Sequence, residues 1–209
     1  MRKEDVPGIV LGIGLLAAAL FTAGAVTEQR QQDLVCRDNL RRLYTMTGMY
    51  CADHHSMPPV SIPQKPRWKF WNHCLEPYAE TRTVFCCPAD PRDRYVFESS
   101  TPLYQPKSYT LSYGMNWFAD AKYIAREGKS PPVLRHIGRP HGTVLYGDCK
   151  LPYFLLDRWD SDKAFRHRDD TANFVFADGH VECLGEGSFG TRDGNGKFLP
   201  SPQYWIWYQ

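Results

Sequence analysis

No block of five or more basic residues occurs in this 209-residue chain, and 25 Lys and Arg against 23 Asp and Glu leave a formal charge of only +2. That balance gives no electrostatic basis for a nucleic-acid partner, and the short Lys-Pro-Arg-Trp-Lys run around Trp68 reads as a solvated loop. Internal repeats and low-complexity tracts are also missing, so the chain is neither a solenoid nor a linker array. No serine or cysteine sits in an identifiable nucleophile motif. Proline is absent between Pro7 and Pro58, so nothing in that interval breaks a helix. Charge is absent from residues 8–26, a run of nineteen.

That uncharged run, GIVLGIGLLAAALFTAGAV, is long enough to cross a bilayer, since roughly 20 apolar residues span about 30 Å as helix. It continues without a breaker into TEQRQQDLVCRDNLRRLYTMTGMYCADHH, a polar stretch rich in helix formers. There Cys36, Leu40, Leu43, Thr47 and Tyr50 recur at steps of three or four and mark one face. Arg37, Asp38, Arg41 and Arg42 point elsewhere. The pattern predicts one helix over about 8–53, on the order of 65–70 Å long at 1.5 Å per residue. Two helices with a bend near Thr27 are the alternative. Four prolines between residues 56 and 66 end it.

The apolar run reads as a single-pass anchor. Arg2 and Lys3 favour a cytoplasmic N-terminus, and Gly12, Gly14 and Gly24 suit close packing of membrane helices. The competing reading is a secretory signal cleaved near Ala25, at Ala23-Gly24-Ala25. Both put the remainder outside the cytoplasm, where seven cysteines suit disulfides. The odd count leaves at least one unpaired or joined between chains. Cys86 and Cys87 are neighbours and do not suit each other; Cys74 with one of them closes a short loop at low entropic cost.

The chain divides into a membrane segment at 1–26, a soluble helical half at 27–56, and a loop-rich α+β head at 57–209. Sixteen prolines and 14% aromatics favour loops and strands over a helical bundle. A short helix is expected in WKFWNHCLEPYAE, a short strand or a loop in RTVFCCPAD, and strands in SYTLSYGMNWF and HGTVLYGDCK. ADAKYIAREGK reads as a short helix ending at Gly128. Asp178-Gly179 between β-formers is a strong hairpin signal, through a type I′ turn with positive φ at both central residues. Asn173 to Ala177 would pair with His180 to Leu184, with Phe174 and Phe176 on one face and Val175 on the other.

Several segments together resemble a bacterial group, the prepilin-type proteins named for an H-x9-D-G motif, which are similar to type II secretion pseudopilins and type IV pilins. Cys36, Asn39 and Leu40, in a helix followed by Tyr50, Asp53 and a proline, resemble the family's Cys-x-x-Asn-Leu helix. Cys87-Pro88-Ala89-Asp90 is similar to its Cys-Pro-x-Asp, Ser112 to Asn116 to its Ser-Tyr-Gly-x-Asn strand, and Val144 to Asp148 to a strand ending in Asp. His167 with Asn173, Asp178, Gly179 and His180 resembles the name-giving motif. The resemblance implies a pilin-like fold, a long helix packed on an antiparallel sheet, and a non-enzymatic structural or assembly role. Its partners would be the lipid bilayer and other pilin-like or secretion-system proteins, at a bacterial inner membrane with the head in the periplasm.

Two features depart from that pattern. Ten residues, not nine, separate His167 from Asp178, which places an insertion near Arg168 to Thr171. Gly8-Ile9 occupies the position of the prepilin processing site, but the fifth position after it is Ile13, where the family carries a glutamate that serves processing and filament register.

Catalytic and metal chemistry were weighed against plain structure. His167 with Asp178 would suit a general base, and a secreted hydrolase is a third reading behind a membrane-anchored or secreted binding module for an extracellular polymer. The competing expectation has Asp178 and Gly179 forming a turn, with Asn173 and His167 hydrogen-bonding loop backbone. For zinc, His180-x-x-Cys183 finds no second spaced pair of the usual structural kind. For calcium, Asp193 and Asn195 sit in a Gly-rich stretch that lacks the later acids of a calcium loop. Asp148, Asp157, Asp160 and Asp162 are other oxygen donors. The expectation is therefore no catalytic residue and no metal, with calcium as the one cation worth naming because major pseudopilins commonly bind it. The aromatic tail, Tyr204 to Tyr208, reads as an edge strand or an arm packed on the sheet.

Overall fold

With its one proline, Pro7, in the first turn, a run of fifty residues forms one unbroken helix, α1 (Asp5–His54). At 1.5 Å per residue it is about 75 Å long, and it passes Thr27 without interruption. It stops where His55 takes a left-handed conformation, φ 54°, and Met57-Pro58 follow. This computed structural model describes residues 5–62, 69–90, 111–117, 134–154, 164–192 and 198–200, with α1 side chains from Gly24 onward.

Beyond α1 the described elements are short. They are β1 (Ser61–Ile62), β2 (Lys69–Phe70), α2 (Trp71–Leu75), β3 (Tyr113–Asn116), β4 (Val144–Asp148) and β5 (Tyr153–Phe154), with 3-10 turns at Glu76–Tyr78, Arg82–Phe85, Leu134–His136 and Pro140–Gly142. Then come β6 (Thr171–Phe176), β7 (Val181–Gly185), β8 (Gly190–Arg192) and β9 (Phe198–Pro200). RTVF is thus a 3-10 turn, with Cys86 extended after it, and the strand offered for RTVFCCPAD does not form. The central sheet runs β5-β3-β4-β6-β7. The fold is α+β, as expected, but the sheet is mixed, because β5 lies parallel to β3 while the other pairs are antiparallel.

The parallel edge has a local cause. After β4 the chain crosses beside β3 at Gly114, where a Cβ would lie 2.8 Å from Cys149 Sγ and 2.9 Å from the Leu151 carbonyl. Only glycine admits that approach. The Met115 amide then donates to the Pro152 carbonyl at 3.0 Å, which starts β5 in parallel register.

Alternation along β6 sorts side chains between two cores. Val175, with Leu145, Tyr146, Tyr113 and Met115, packs against Cys36, Leu40, Leu43 and Met46 of α1 and against Trp71 and Phe85. On the opposite face Phe174 and Phe176 pack with Val144, Phe154, Leu184 and Phe189. The helical face read from the sequence is buried at Cys36, Leu40, Leu43 and Thr47, and half-buried at Tyr50.

The β6–β7 hairpin forms around Asp178-Gly179, with Val175 opposite Val181. Its turn differs from the expected type I′. The Gly179 amide donates to the Phe176 carbonyl at 2.9 Å, and Gly179 alone takes positive φ, +88°. That is the longer hairpin loop closed by a left-handed glycine, which accommodates Ala177 where a two-residue loop would not.

The seven cysteines are unbonded. Cys74 faces the Tyr50 phenol, whereas Cys87 is buried beside Cys36, so the expected pairing of Cys74 with Cys86 or Cys87 is not made. Among the residues described with side chains, no helix is long and apolar enough to cross a membrane. The run 8–26 lies outside them except for its last three residues, and the side chains of Gly8 and Ile9 fall there too. The expected helix ending at Gly128, the calcium candidates Asp193 and Asn195, the carboxylates Asp157, Asp160 and Asp162, and the tail from Tyr204 lie outside the described residues.

Candidate functional site

Four elements converge where α1 crosses the sheet. The buried helical face presents Cys36, the loop after Arg82–Phe85 presents Cys87, β4 ends on Asp148, and the bridge of His167 to Thr171 sets His167 ahead of β6. One donor atom from each lies within 4.8 Å of all the others, and all four residues are buried. Among the described residues this is the one such grouping of His, Cys, Asp or Glu.

Asp148 is the hub. Its Oδ2 accepts the Asn173 backbone N–H at 2.8 Å and lies 3.0 Å from His167 Nε2. The Cys36 thiol points at the same oxygen from 3.6 Å. Cys87 Sγ is 3.5 Å from His167 Nε2. The other ring nitrogen, Nδ1, is 3.7 Å from Asp33 Oδ1. Asp33 in turn accepts the Asn173 side-chain amide at 2.8 Å, and Arg37 reaches Asn173 Oδ1 at 3.4 Å.

Arg166, buried like the cluster, pairs with Asp90 and stands 3.8 Å from Asp148 Oδ1. Its Nη2 also donates to the Cys149 carbonyl at 3.0 Å. Burial alone would lower its pKa, but Asp148 and Asp90 outweigh that and raise it. Burial likewise opposes charge on His167; the hydrogen bonds to Asp148 and Cys87 prevail and lift it to about 10. The Cys36 thiol is pushed up, first by burial, while the hydrogen bond from Cys36 draws Cys87 down. Charge on His167 is thus favoured by its place beside Asp148, with the sulfurs of Cys36 and Cys87 alongside.

The structure gathers part of what the motif reading singled out. Cys36, Cys87, Asp148 and His167 meet in the cluster, and Asn173 flanks it. Asn39 binds the Cys86 carbonyl at 3.0 Å, which holds the Cys87-Pro88 loop on α1. Leu40 is core, and Asn116 ties β3 to the Val144 carbonyl at 2.9 Å. Asp178, Gly179 and His180 are elsewhere, at the far end of β6, on the order of 15 Å away at about 3.3 Å per residue. There His180 Nδ1 lies 2.5 Å from Asp178 Oδ1 and its ring stacks on Phe176.

Two expectations are corrected by this placement. The His167–Asp178 pair on which the hydrolase reading rested does not form, because six residues of extended β6 separate its ends. Nor do the side chains of His167 and Asn173 serve loop backbone; both turn toward α1, because alternation along β6 puts Asn173 on the helix face with Val175. The extra residue of the motif is absorbed in the turn at 168–170, where Asp169 and Asp170 adopt left-handed φ of 59° and 51°, a conformation that Asp tolerates better than most.

Sequence reasoning did not single out Asp33; it quoted Asp90 in the Cys-Pro-x-Asp match and Arg166 beside His167, but did not pair the two. Asp33 could have been found, because it lies three residues before Cys36 on the same helical face. The burial of the Arg166–Asp90 pair has no signature in the chain. No protein-family model, curated protein or solved structure matched this chain.

Proposed function

We propose that this chain is a pilin-like, non-enzymatic component of the bacterial cell envelope, anchored by residues 8–26 and serving a pseudopilin or minor-pilin role in a secretion or pilus system. One observation carries the reading. α1 continues past the head: residues 24–31 are all exposed, while its C-terminal half is buried against the sheet. A helix exposed over residues 24–31 and buried on one face beyond them suits a stem whose outer part packs with neighbouring helices in or beside a membrane. Exposed Val26, Leu34 and Val35 add apolar surface to that outer part. Of the residues that resemble the family's motifs, Cys36, Cys87, Asp148, His167 and Asn173 lie at the junction of helix and sheet, which suits a structural duty.

Fractionation tests it. The full chain should sediment with inner membranes, resist alkaline carbonate and co-purify with pilin-like or secretion components. Deletion of residues 8–26 should abolish all three. Membrane retention by the deleted chain, or co-purification indifferent to the deletion, would refute the stem.

A further inference from the structure

We propose that Cys36, Cys87, Asp148 and His167 form a closed four-ligand site for a divalent metal ion, zinc by its donor set, that clamps α1 to the head. Zinc takes thiolate sulfur at about 2.3 Å and imidazole nitrogen or carboxylate oxygen at about 2.0–2.2 Å, in tetrahedral geometry. Those bond lengths imply ligand-to-ligand edges of about 3.4 Å for nitrogen to oxygen and about 3.6 Å for sulfur to nitrogen or oxygen. Here His167 Nε2 to Asp148 Oδ2 is 3.0 Å, Cys87 Sγ to His167 Nε2 is 3.5 Å, and Cys36 Sγ to Asp148 Oδ2 is 3.6 Å. Three of the six edges thus lie within about 0.4 Å of those of such a tetrahedron, and none of the six exceeds 4.8 Å.

The surroundings suit a metal as well. A ligating histidine characteristically donates its second ring N–H to a carboxylate, which fixes its tautomer and orientation. His167 aims Nε2 at the cluster and Nδ1 at Asp33, 3.7 Å away; Asp33 is itself held by Asn173 at 2.8 Å. Two thiolates and a carboxylate around a divalent ion with a neutral imidazole leave one negative charge. Arg166, 3.8 Å from Asp148 and buried beside it, offsets part of that charge while it also pairs with Asp90. The four ligands come from α1, the Cys87 loop, β4 and the start of β6, so a bound ion would join elements far apart in sequence.

A disulfide between Cys36 and Cys87 is the competing chemistry in an oxidising compartment. It would use two of the four convergent groups and leave the convergence of Asp148 and His167 on the thiols without purpose. The test uses the full chain, purified in detergent without chelator or reductant, supplied with zinc and desalted. One zinc per chain is expected, kept in Cys183→Ser and lost in Cys36→Ser and in Cys87→Ser. Replacement by cobalt on the unaltered chain should give tetrahedral visible bands with thiolate-to-cobalt charge transfer, a reading that stands even where a variant fails to fold. Three results would overturn the site: peptide mapping that finds Cys36 bonded to Cys87, an octahedral cobalt spectrum without the sulfur bands, or zinc content unchanged when either thiol is removed.

Discussion

The hydroxyls of Thr47 and Tyr146 meet at 2.8 Å between α1 and β4, both fully buried, and their chemistry makes an asymmetric prediction. Thr47 Oγ1 also lies 2.8 Å from the Leu43 carbonyl, to which it donates within the helix, so it accepts from Tyr146. Tyr146→Phe removes one hydrogen bond but leaves Thr47 satisfied, and should cost about 1 kcal/mol. Thr47→Val preserves shape but strands the buried Tyr146 hydroxyl, and should cost roughly 2 kcal/mol, within the range of about 1–3 for an unpaired buried group. The double variant strands nothing and should lie close to Tyr146→Phe alone, leaving a coupling energy of about 1–2 kcal/mol. The assay is urea unfolding of the detergent-solubilised chain by tryptophan fluorescence, since Trp71 is buried with its ring 4.7 Å from that of Tyr146. Additive losses, or a Thr47→Val cost no larger than that of Tyr146→Phe, would show that the two hydroxyls do not meet and that α1 is seated otherwise.

Three further outcomes follow from the same geometry. Leu40→Ala, at a fully buried position of α1, should lower unfolding free energy by about 2–5 kcal/mol; a loss near zero would mean that this helical face is not core. Gly179→Ala places a Cβ 2.7 Å from the Tyr44 ring at φ +88° and should cost about 2 kcal/mol. Adding Tyr44→Ala should restore only the part due to the clash, and full restoration would refute the claim of backbone strain. Partial burial pushes the Asp178 carboxyl up, but the His180 ring and backbone N–H outweigh it and hold it below the ordinary range. A depressed folded-state value means that the contribution is complete above the unfolded value, about 4, and is lost as pH falls through the lower folded one. Asp178→Asn should therefore flatten the acid limb of a stability–pH profile, and an unchanged limb would refute the pairing.

Local pattern by itself determined the long helix and the β6–β7 hairpin of this protein. Spacing of Cys36, Leu40, Leu43 and Thr47 marked the buried helical face, because helical period is a property of neighbours along the chain. Asp178-Gly179 marked a hairpin for the same reason, though the loop that formed also takes in Ala177, closed by the Gly179 amide on the Phe176 carbonyl. The mixed edge of the sheet was not legible. It depends on the chain crossing beside Gly114, and nothing in that residue's sequence neighbourhood specifies which strand it meets. The cluster of Cys36, Cys87, Asp148 and His167 shows the limit most sharply. Zinc was set aside on sequence because ligand pairs with short spacing are missing. Folding brings four single residues from four elements to within 4.8 Å. Their separations along the chain, from 19 residues between His167 and Asp148 to 131 between His167 and Cys36 by numbering, carry no signal of that meeting. Tertiary structure alone decided it, because a cluster of this kind is held by a helix crossing a sheet and not by any local run of residues.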